Sequence, residues 1–343
     1  MKAQALDLSK CIAITEYIIG NDTMISPADP VPHDAAVVAS DVLGVPAERV
    51  ARFPTGRRHF VYDVRLADGR CVVVRISRRD DIEAARGATY WSSLLRPKGV
   101  PLPVLLHSDV SLQRWAFPVM VLERLPGDDL GMIYQRLGRR QLRALAERLV
   151  SIQAIVAALP PGRGYGFVTS YDCEFPHADW GAVVAALLAR SRARIRAAAI
   201  VNEGVVDAVE AAAERFAGYF SRIAPVPFLH DITTKNVIVH EGRLSGIVDV
   251  DDLCFGDPLL LLALVRMALL AHGLDPAYFE QWLDIVRPDA EQAAAIDLYT
   301  ALYCIDFMGE LGQRFNLAAS ASVDAAYLAR LRMLLRRLSA HMV

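Results

Sequence analysis

From His59 to Leu66 apolar and polar residues alternate, the pattern of a half-buried strand. Ala67-Asp-Gly-Arg then carries a turn, and Cys71 to Ser77 predicts a second strand. Upstream, Pro32 to Gly44 predicts a helix, with Pro and Asp near its start and Gly at its end. Residues 1–25 predict an extra helix to which the letters give no role. Downstream, Asp80 to Leu95 has a helical pattern, Val100-Pro-Leu-Pro is a stiff extended connector, and Phe117 to Leu122 predicts another strand.

After Pro126 the rhythm becomes helical. Gln141 to Leu159, Trp180 to Ala198, Val205 to Ile223, Pro258 to His272, Ala290 to Leu317 and Ala321 to Leu338 all predict helices. Among them lie two short apolar runs, Val237-Ile-Val and Leu244 to Val250, which meet at His240-Glu-Gly-Arg as a hairpin. The expected class is therefore α+β: a small β-rich N-lobe, then a larger, mainly helical C-lobe, with the boundary near Glu123 to Gly127. In residue ranges this gives a helical extension over 1–44, an N-lobe over 45–125 and a C-lobe over 126–343.

Composition narrows the classes. Hydrophobic residues make up 54% of the 343, enough for a substantial core and against disorder. A formal net charge of -2 gives no electrostatic case for nucleic acid or an anionic membrane as partner. The five cysteines, at 11, 71, 173, 254 and 304, form no CxxC pair, so neither a zinc site nor a disulfide framework is expected, and a cytoplasmic location fits. The most apolar segment, Pro258 to Leu274, is broken by Arg266 and reads as a buried core helix. Asp7, Lys10 and Glu16 interrupt any signal-peptide core at the N-terminus.

The chemistry concentrates around the hairpin. Asp231 and Asn236 stand before its first strand, and Asp249 ends its second. A carboxylate on a loop before a hairpin can meet a substrate hydroxyl. An amide and a second carboxylate can share a hard, oxygen-loving cation such as Mg²⁺, the ion that bridges nucleotide phosphates. Taken singly, each of these residues is also an ordinary turn or strand-end residue; the joint spacing carries the functional reading.

The stretch H-D-I-T-T-K-N-V-I-V-H-E-G-R-L-S-G-I-V-D-V-D-D-L-C-F-G-D-P, from His230 to Pro258, resembles the catalytic loop and metal-binding hairpin of the aminoglycoside phosphotransferase and choline kinase-like family, relatives of the protein kinases. The resemblance implies a bilobal protein-kinase-like fold, a catalytic base at Asp231, metal ligands at Asn236 and Asp249, and ATP and Mg²⁺ as cofactors. Two positions depart from the family pattern: Leu229 stands where a histidine is usual, and Leu261 where a later Asp is common. Asp257 is expected to cap the helix that begins at Pro258.

The resemblance also places the nucleotide in the N-lobe and the acceptor in the C-lobe. Arg75, in an apolar strand, is implied to grip the phosphates with its planar fork of donors. Glu83, on the following helix, is its expected partner. Thr55, Gly56 and Arg57 sit where a phosphate-covering loop belongs, with main-chain amides to offer. Met120 is expected to pack behind adenine, and Leu122, Glu123 and Arg124 to offer it main-chain hydrogen bonds.

The expected reaction is ATP-dependent phosphorylation of a hydroxyl on a small molecule: an aminoglycoside or other antibiotic, a sugar or an amino alcohol. Asp306 and Glu310, one helical turn apart, and the group Asp172, Glu174 and Asp179 are acidic regions that would suit a polycation, or are solvated faces. The sequence leaves open ATP against GTP, the parts played by Asp251, Asp252 and Lys235, and a homodimer. His59, His107 and His177 show no ligand spacing, and no metal is assigned to them. Two other readings stay open: a non-catalytic nucleotide-binding module with the same fold, and a phosphatase or glycosyltransferase built on Asp249-Val-Asp251.

Overall fold

The computed structural model describes residues 29–53, 58–311, 313 and 323–341. The helix expected within 1–25 and the loop residues Thr55, Gly56 and Arg57 lie outside the described residues.

The described chain opens with α1 (Pro32–Leu43), which ends at Gly44 in the left-handed region, φ 67°. β1 (Ala47–Arg52), β2 (Phe60–Leu66), β3 (Cys71–Ile76), β4 (Leu105–Asp109) and β5 (Val119–Glu123) form an antiparallel sheet in the order β1-β2-β3-β5-β4. Its alternation works as the sequence suggests. Phe60, Tyr62, Val64 and Leu66 of β2 face the same core as Val72, Val74 and Ile76 of β3. Ala35, Val38 and Ala39 of α1 close that core, so α1 packs as the sheet's covering layer. The pleat turns the other side of β3 toward the rest of the molecule. Arg75 lies on that side, paired with Val61 and Met120 in a strand flanked on both edges, and only 5% exposed.

α2 (Ile82–Leu95) joins the larger core through Trp91 and Leu95. Beyond β5 come β6 (Asp128–Asp129), α3 (Leu130–Ile133), α4 (Arg139–Ala157), β7 (Gly166–Val168) and α5 (Trp180–Ala198). α6 (Asp207–Arg215), α7 (Ala217–Phe220) and β8 (Val226–Phe228) follow, then the hairpin β9 (Val237–His240) and β10 (Arg243–Ile247). β11 (Leu253–Gly256), α8 (Leu259–Ala271), α9 (Ala277–Val286), α10 (Ala290–Glu310) and α11 (Ala325–His341) complete the chain. Two small sheets, β10-β9-β6 and β7-β11-β8, are set among these helices.

Two expectations need correction. The helix expected over Val205 to Ile223 breaks at Phe216, whose N–H turns back to Ala213 O at 3.0 Å. The strand expected to reach Val250 stops at Ile247, because Asp249 adopts a left-handed backbone, φ 63°. β1, β4, β6, α3, β7, β8, β11 and α9 lie outside the elements the pattern predicts: β11 is buried along its whole length, so it shows no alternation. α8 is the buried core helix expected, and no helix among the described residues is long and apolar enough to cross a membrane.

Candidate active site

The loop between β8 and β9 carries Asp231. Its entry is held by Gln153 of α4, which accepts from Leu229 N at 3.0 Å and donates to Leu229 O at 2.6 Å. Leu229 itself is buried in the core. Farther along, Gly131 N of α3 donates to Thr234 O at 3.0 Å. Thr233 Oγ1 donates to Asp231 Oδ1 at 3.0 Å, and Lys235 Nζ stands 3.4 Å from Oδ2. Asp231, ahead of any other neighbour, pushes the Lys235 ammonium up, and Asp249 and Glu310 add to it. Asn236, buried, donates its Nδ2 to Asp231 O at 2.8 Å. That commits the amide nitrogen to the loop and leaves the amide oxygen as the atom for a ligand.

The hairpin brings the second acidic group alongside. Val248 N donates to Asn236 O at 3.0 Å, and the next residue, Asp249, turns left-handed with its side chain 40% exposed. Arg75 enters from β3: Nη1 is 3.5 Å from Asp249 Oδ1, and Nη2 is 2.5 Å from Asp251 Oδ2. The same Nη2 lies 2.6 Å from His59 Nε2, which is 3.0 Å from Asp251 Oδ2, while His59 Nδ1 meets Ser77 Oγ at 3.0 Å. Burial alone would raise the Asp251 carboxyl, yet Arg75 and His59 hold it well below the usual range. Burial likewise works against the Arg75 charge, and Asp251 and Asp249 restore it. His59 thus belongs to a cluster after all. Its ligand atom and those of Asp249 and Asp251 lie within 4.8 Å of one another, a grouping hidden by a separation of 192 residues.

The expected partner of Arg75 is therefore corrected. Glu83 sits on the exposed first turn of α2 and pairs with Arg86 at 2.5 Å. What α2 offers the site instead is Gly87, packed against the main-chain carbonyl of Asp251. Asp252, beside it, lies 3.2 Å from His230 Nδ1, without hydrogen-bond geometry. Burial raises its carboxyl, with His230 opposing and Asp251 assisting.

On β5, Met120 is buried beside Arg75 on the same face of the sheet. Leu122 is half-buried opposite Val73. Glu123 exchanges hydrogen bonds with Val104: its N donates to Val104 O at 2.9 Å, and its Oε2 accepts from Val104 N at 3.0 Å. Arg124 stacks on Phe53 at 5.2 Å and donates to Leu125 O at 2.6 Å. The charged side chains at this edge are thus engaged by the protein itself.

Several acidic side chains of the C-terminal half are also occupied. Asp306 is buried and clasped by Arg190 at 2.9 Å and Arg194 at 3.0 Å, so it fastens α5 to α10. Asp179 caps α5, accepting from Ala182 N at 2.8 Å. Asp257 accepts from Leu259 N at 3.0 Å, from Tyr219 at 2.7 Å and from Tyr299 at 2.9 Å, the structural role expected of it. Trp180 in turn donates to Tyr299 Oη at 2.7 Å.

The donor set suits a hard cation. Asn236 is bonded through its main chain to Val248, one residue before Asp249, and Asp251 Oδ1 is buried without a hydrogen-bond partner. A β-sheet lobe presenting a buried cation to an Asp–Asn loop and an acidic hairpin on a helical lobe defines the protein-kinase-like class. Within that class the chain belongs to the APH phosphotransferase enzyme family, which matches residues 49–296. No curated protein matches the chain.

Solved structures of similar fold include a thermostable mutant of aminoglycoside phosphotransferase APH(4)-Ia in ternary complex with ADP and hygromycin B, at 16% identity and TM-score 0.63, covering 90% of this chain and 98% of that one. Another is the GDP complex of aminoglycoside 2'-phosphotransferase-IIIa, at 14% identity and TM-score 0.62, covering 91% and 99%. A third is a fructosamine-3-kinase homologue from Thermobifida fusca, at 17% identity and TM-score 0.57, covering 88% and 98%. At these identities the likeness concerns the fold.

Proposed function

We infer that this protein transfers the terminal phosphoryl group of ATP to a hydroxyl of a small molecule. A set of contacts supports the reading: Asp231 and Asp249 both act on the Lys235 ammonium, Asn236 is bonded to the Asp231 main chain, and the buried guanidinium of Arg75 reaches Asp249 from β3. Asp231 orients the acceptor hydroxyl and takes its proton. Thr233 and Lys235 fix the carboxylate's direction and balance its charge. Asn236 and Asp249 would hold Mg²⁺, which neutralises phosphate charge when bound. Arg75 supplies two parallel donors to phosphate oxygens. Most of the acceleration comes from positioning and charge stabilisation.

In domain terms, residues 45–125 bind the nucleotide, with Thr55 to Arg57 over the phosphates and the main chain of Leu122 to Arg124 on adenine, except the Glu123 N–H, which is given to Val104 O; residues 126–343 carry the catalytic groups and the acceptor. Glu83 has no place in this account, because its carboxylate is turned to Arg86. The acceptor is a small hydroxyl compound, such as a sugar, an amino alcohol or an antibiotic. Asp306, already matched by two arginines, gives no pull on a polycation.

The test is Asp231→Asn. Turnover of ATP with an acceptor found in a hydroxyl panel should fall by about 10²–10⁴-fold, with Mg·ATP affinity by calorimetry unchanged. Full turnover by the variant refutes the role, and absence of nucleotide binding by the wild type refutes the reading.

A further inference from the structure

Arg75 and Asp251 are both buried, and Arg75 Nη2 donates to Asp251 Oδ2 at 2.5 Å. Asp251 is itself held in place. His59 Nε2 stands 3.0 Å from the same carboxylate oxygen, and the main-chain carbonyl of Asp251 packs against Gly87 of α2. The pair therefore joins β3 of the sheet lobe to the acidic hairpin of the helical lobe. A partner on α2 would have left Arg75 tied within the first 125 residues.

The rest of the guanidinium is less committed. Nε is buried without a hydrogen-bond partner, and Nη1 lies 3.5 Å from the exposed Asp249. A buried donor with no acceptor is costly, so Nε is poised for an acceptor that the chain does not supply. Pulling Nη2 away would be costly in its own right, because it would strip a buried carboxylate of its cation.

These facts separate two uses of the contact. As a latch, Asp251 would compete with phosphate for the guanidinium and would have to let go. As an anchor, it keeps Nη2 and leaves the other nitrogens to phosphate oxygens. The burial of both partners and the unpartnered Nε favour the anchor.

We propose that Asp251 is a positioning residue: it stays on Arg75 Nη2 when nucleotide binds and aims Nε and Nη1 at the phosphates, the task expected of Glu83. This inference rests on the proposed phosphotransfer reading, but its readouts separate the two.

The experiment follows the Arg75 guanidinium of the full-length wild-type protein by ¹⁵N NMR, with and without Mg·AMP-PNP, a non-hydrolysable ATP analogue. The Nε–H signal should shift in the complex, whereas the Nη2 signals should keep their positions. In parallel, Asp251→Asn should lower kcat about 10²-fold, counted per AMP-PNP site titrated by calorimetry, so that unfolded protein does not enter the loss. Its AMP-PNP binding should be no tighter than the wild type's, with or without Mg²⁺, and Glu83→Gln should match the wild type throughout. Nη2 signals that move while Nε stays overturn the proposal. So does tighter AMP-PNP binding by Asp251→Asn, the mark of a latch, or a loss of affinity confined to samples with Mg²⁺, the mark of a metal ligand. Failure of the wild type to bind AMP-PNP at all would remove the phosphotransfer reading itself.

Discussion

Gly87 of α2 rests on the main-chain carbonyl of Asp251: a β-carbon at Gly87 would stand 2.0 Å from that oxygen and 2.8 Å from Thr169 Cβ. The obstacle is backbone and a branched side chain, so neither can swing aside. Gly87→Ala should push α2 away from the acidic hairpin. We expect a loss of about 1–3 kcal/mol in urea unfolding, and a drop in phosphotransfer larger than that of Gly218→Ala, where a β-carbon meets nothing within 4 Å. Equal effects at the two positions would contradict the packing argument.

Gln153 holds Leu229 by both main-chain groups. Gln153→Leu keeps the volume but strands a buried N–H and C=O, at about 1–3 kcal/mol for each group left unsatisfied. Thermal unfolding should show the loss, and kcat should fall because the segment entering Asp231 is no longer fixed. Gln153→Glu can accept from Leu229 N but not donate to its carbonyl, so it should lie between.

The neighbouring carboxylates Asp251 and Asp252 should respond to pH in opposite senses. Arg75 and His59 override burial and depress Asp251, so its contribution to stability is present above the ordinary value near 3.8 and is lost as pH falls from there toward the folded value. Burial raises Asp252, so its contribution is present below 3.8 and is lost as pH rises through the folded value. Urea titrations of Asp251→Asn and Asp252→Asn against wild type should show the first variant weaker at neutral pH, with the gap closing in acid. The second should be level with wild type or more stable at neutral pH. The reverse ordering would show that the buried charge sits on the other carboxylate.

Asp306 joins α5 to α10 through Arg190 and Arg194. Removing one arginine leaves the carboxylate a partner, whereas Asp306→Ala leaves two guanidinium groups without theirs. Asp306→Ala should therefore cost about 3–5 kcal/mol, more than Arg190→Ala, whose side chain is already 37% exposed. Chemical denaturation of the two variants, with their double mutant, measures the difference.

What could be read from the letters followed distance along the chain. Asp231, Asn236 and Asp249 fall within a single hairpin unit, so their pattern was visible, and the alternation of β2 gave the sheet. Arg75 stands out in the letters as a cation in an apolar strand, and the nearest helix offers Glu83 as its partner. Helical phase put Glu83 in reach; tertiary packing supplied Asp251, 176 residues away. His59 escaped for the same reason, and because its neighbours on β2 explain its position equally well as a strand residue. Gln153 left no signal at all: a glutamine on an amphipathic helix is ordinary until the loop it clasps is in view.

Asp249 has a left-handed backbone, φ 63°. That geometry, worth of order 1–3 kcal/mol of strain, is set by the folding of the hairpin. Under the proposed role, a divalent ion arriving there meets a ligand that has already surrendered its backbone freedom. Calorimetry of the ion with nucleotide should then register little ordering of residue 249, whereas Asp249→Glu, longer and freer at the side chain, should bind with a larger entropic penalty than its extra methylene alone explains.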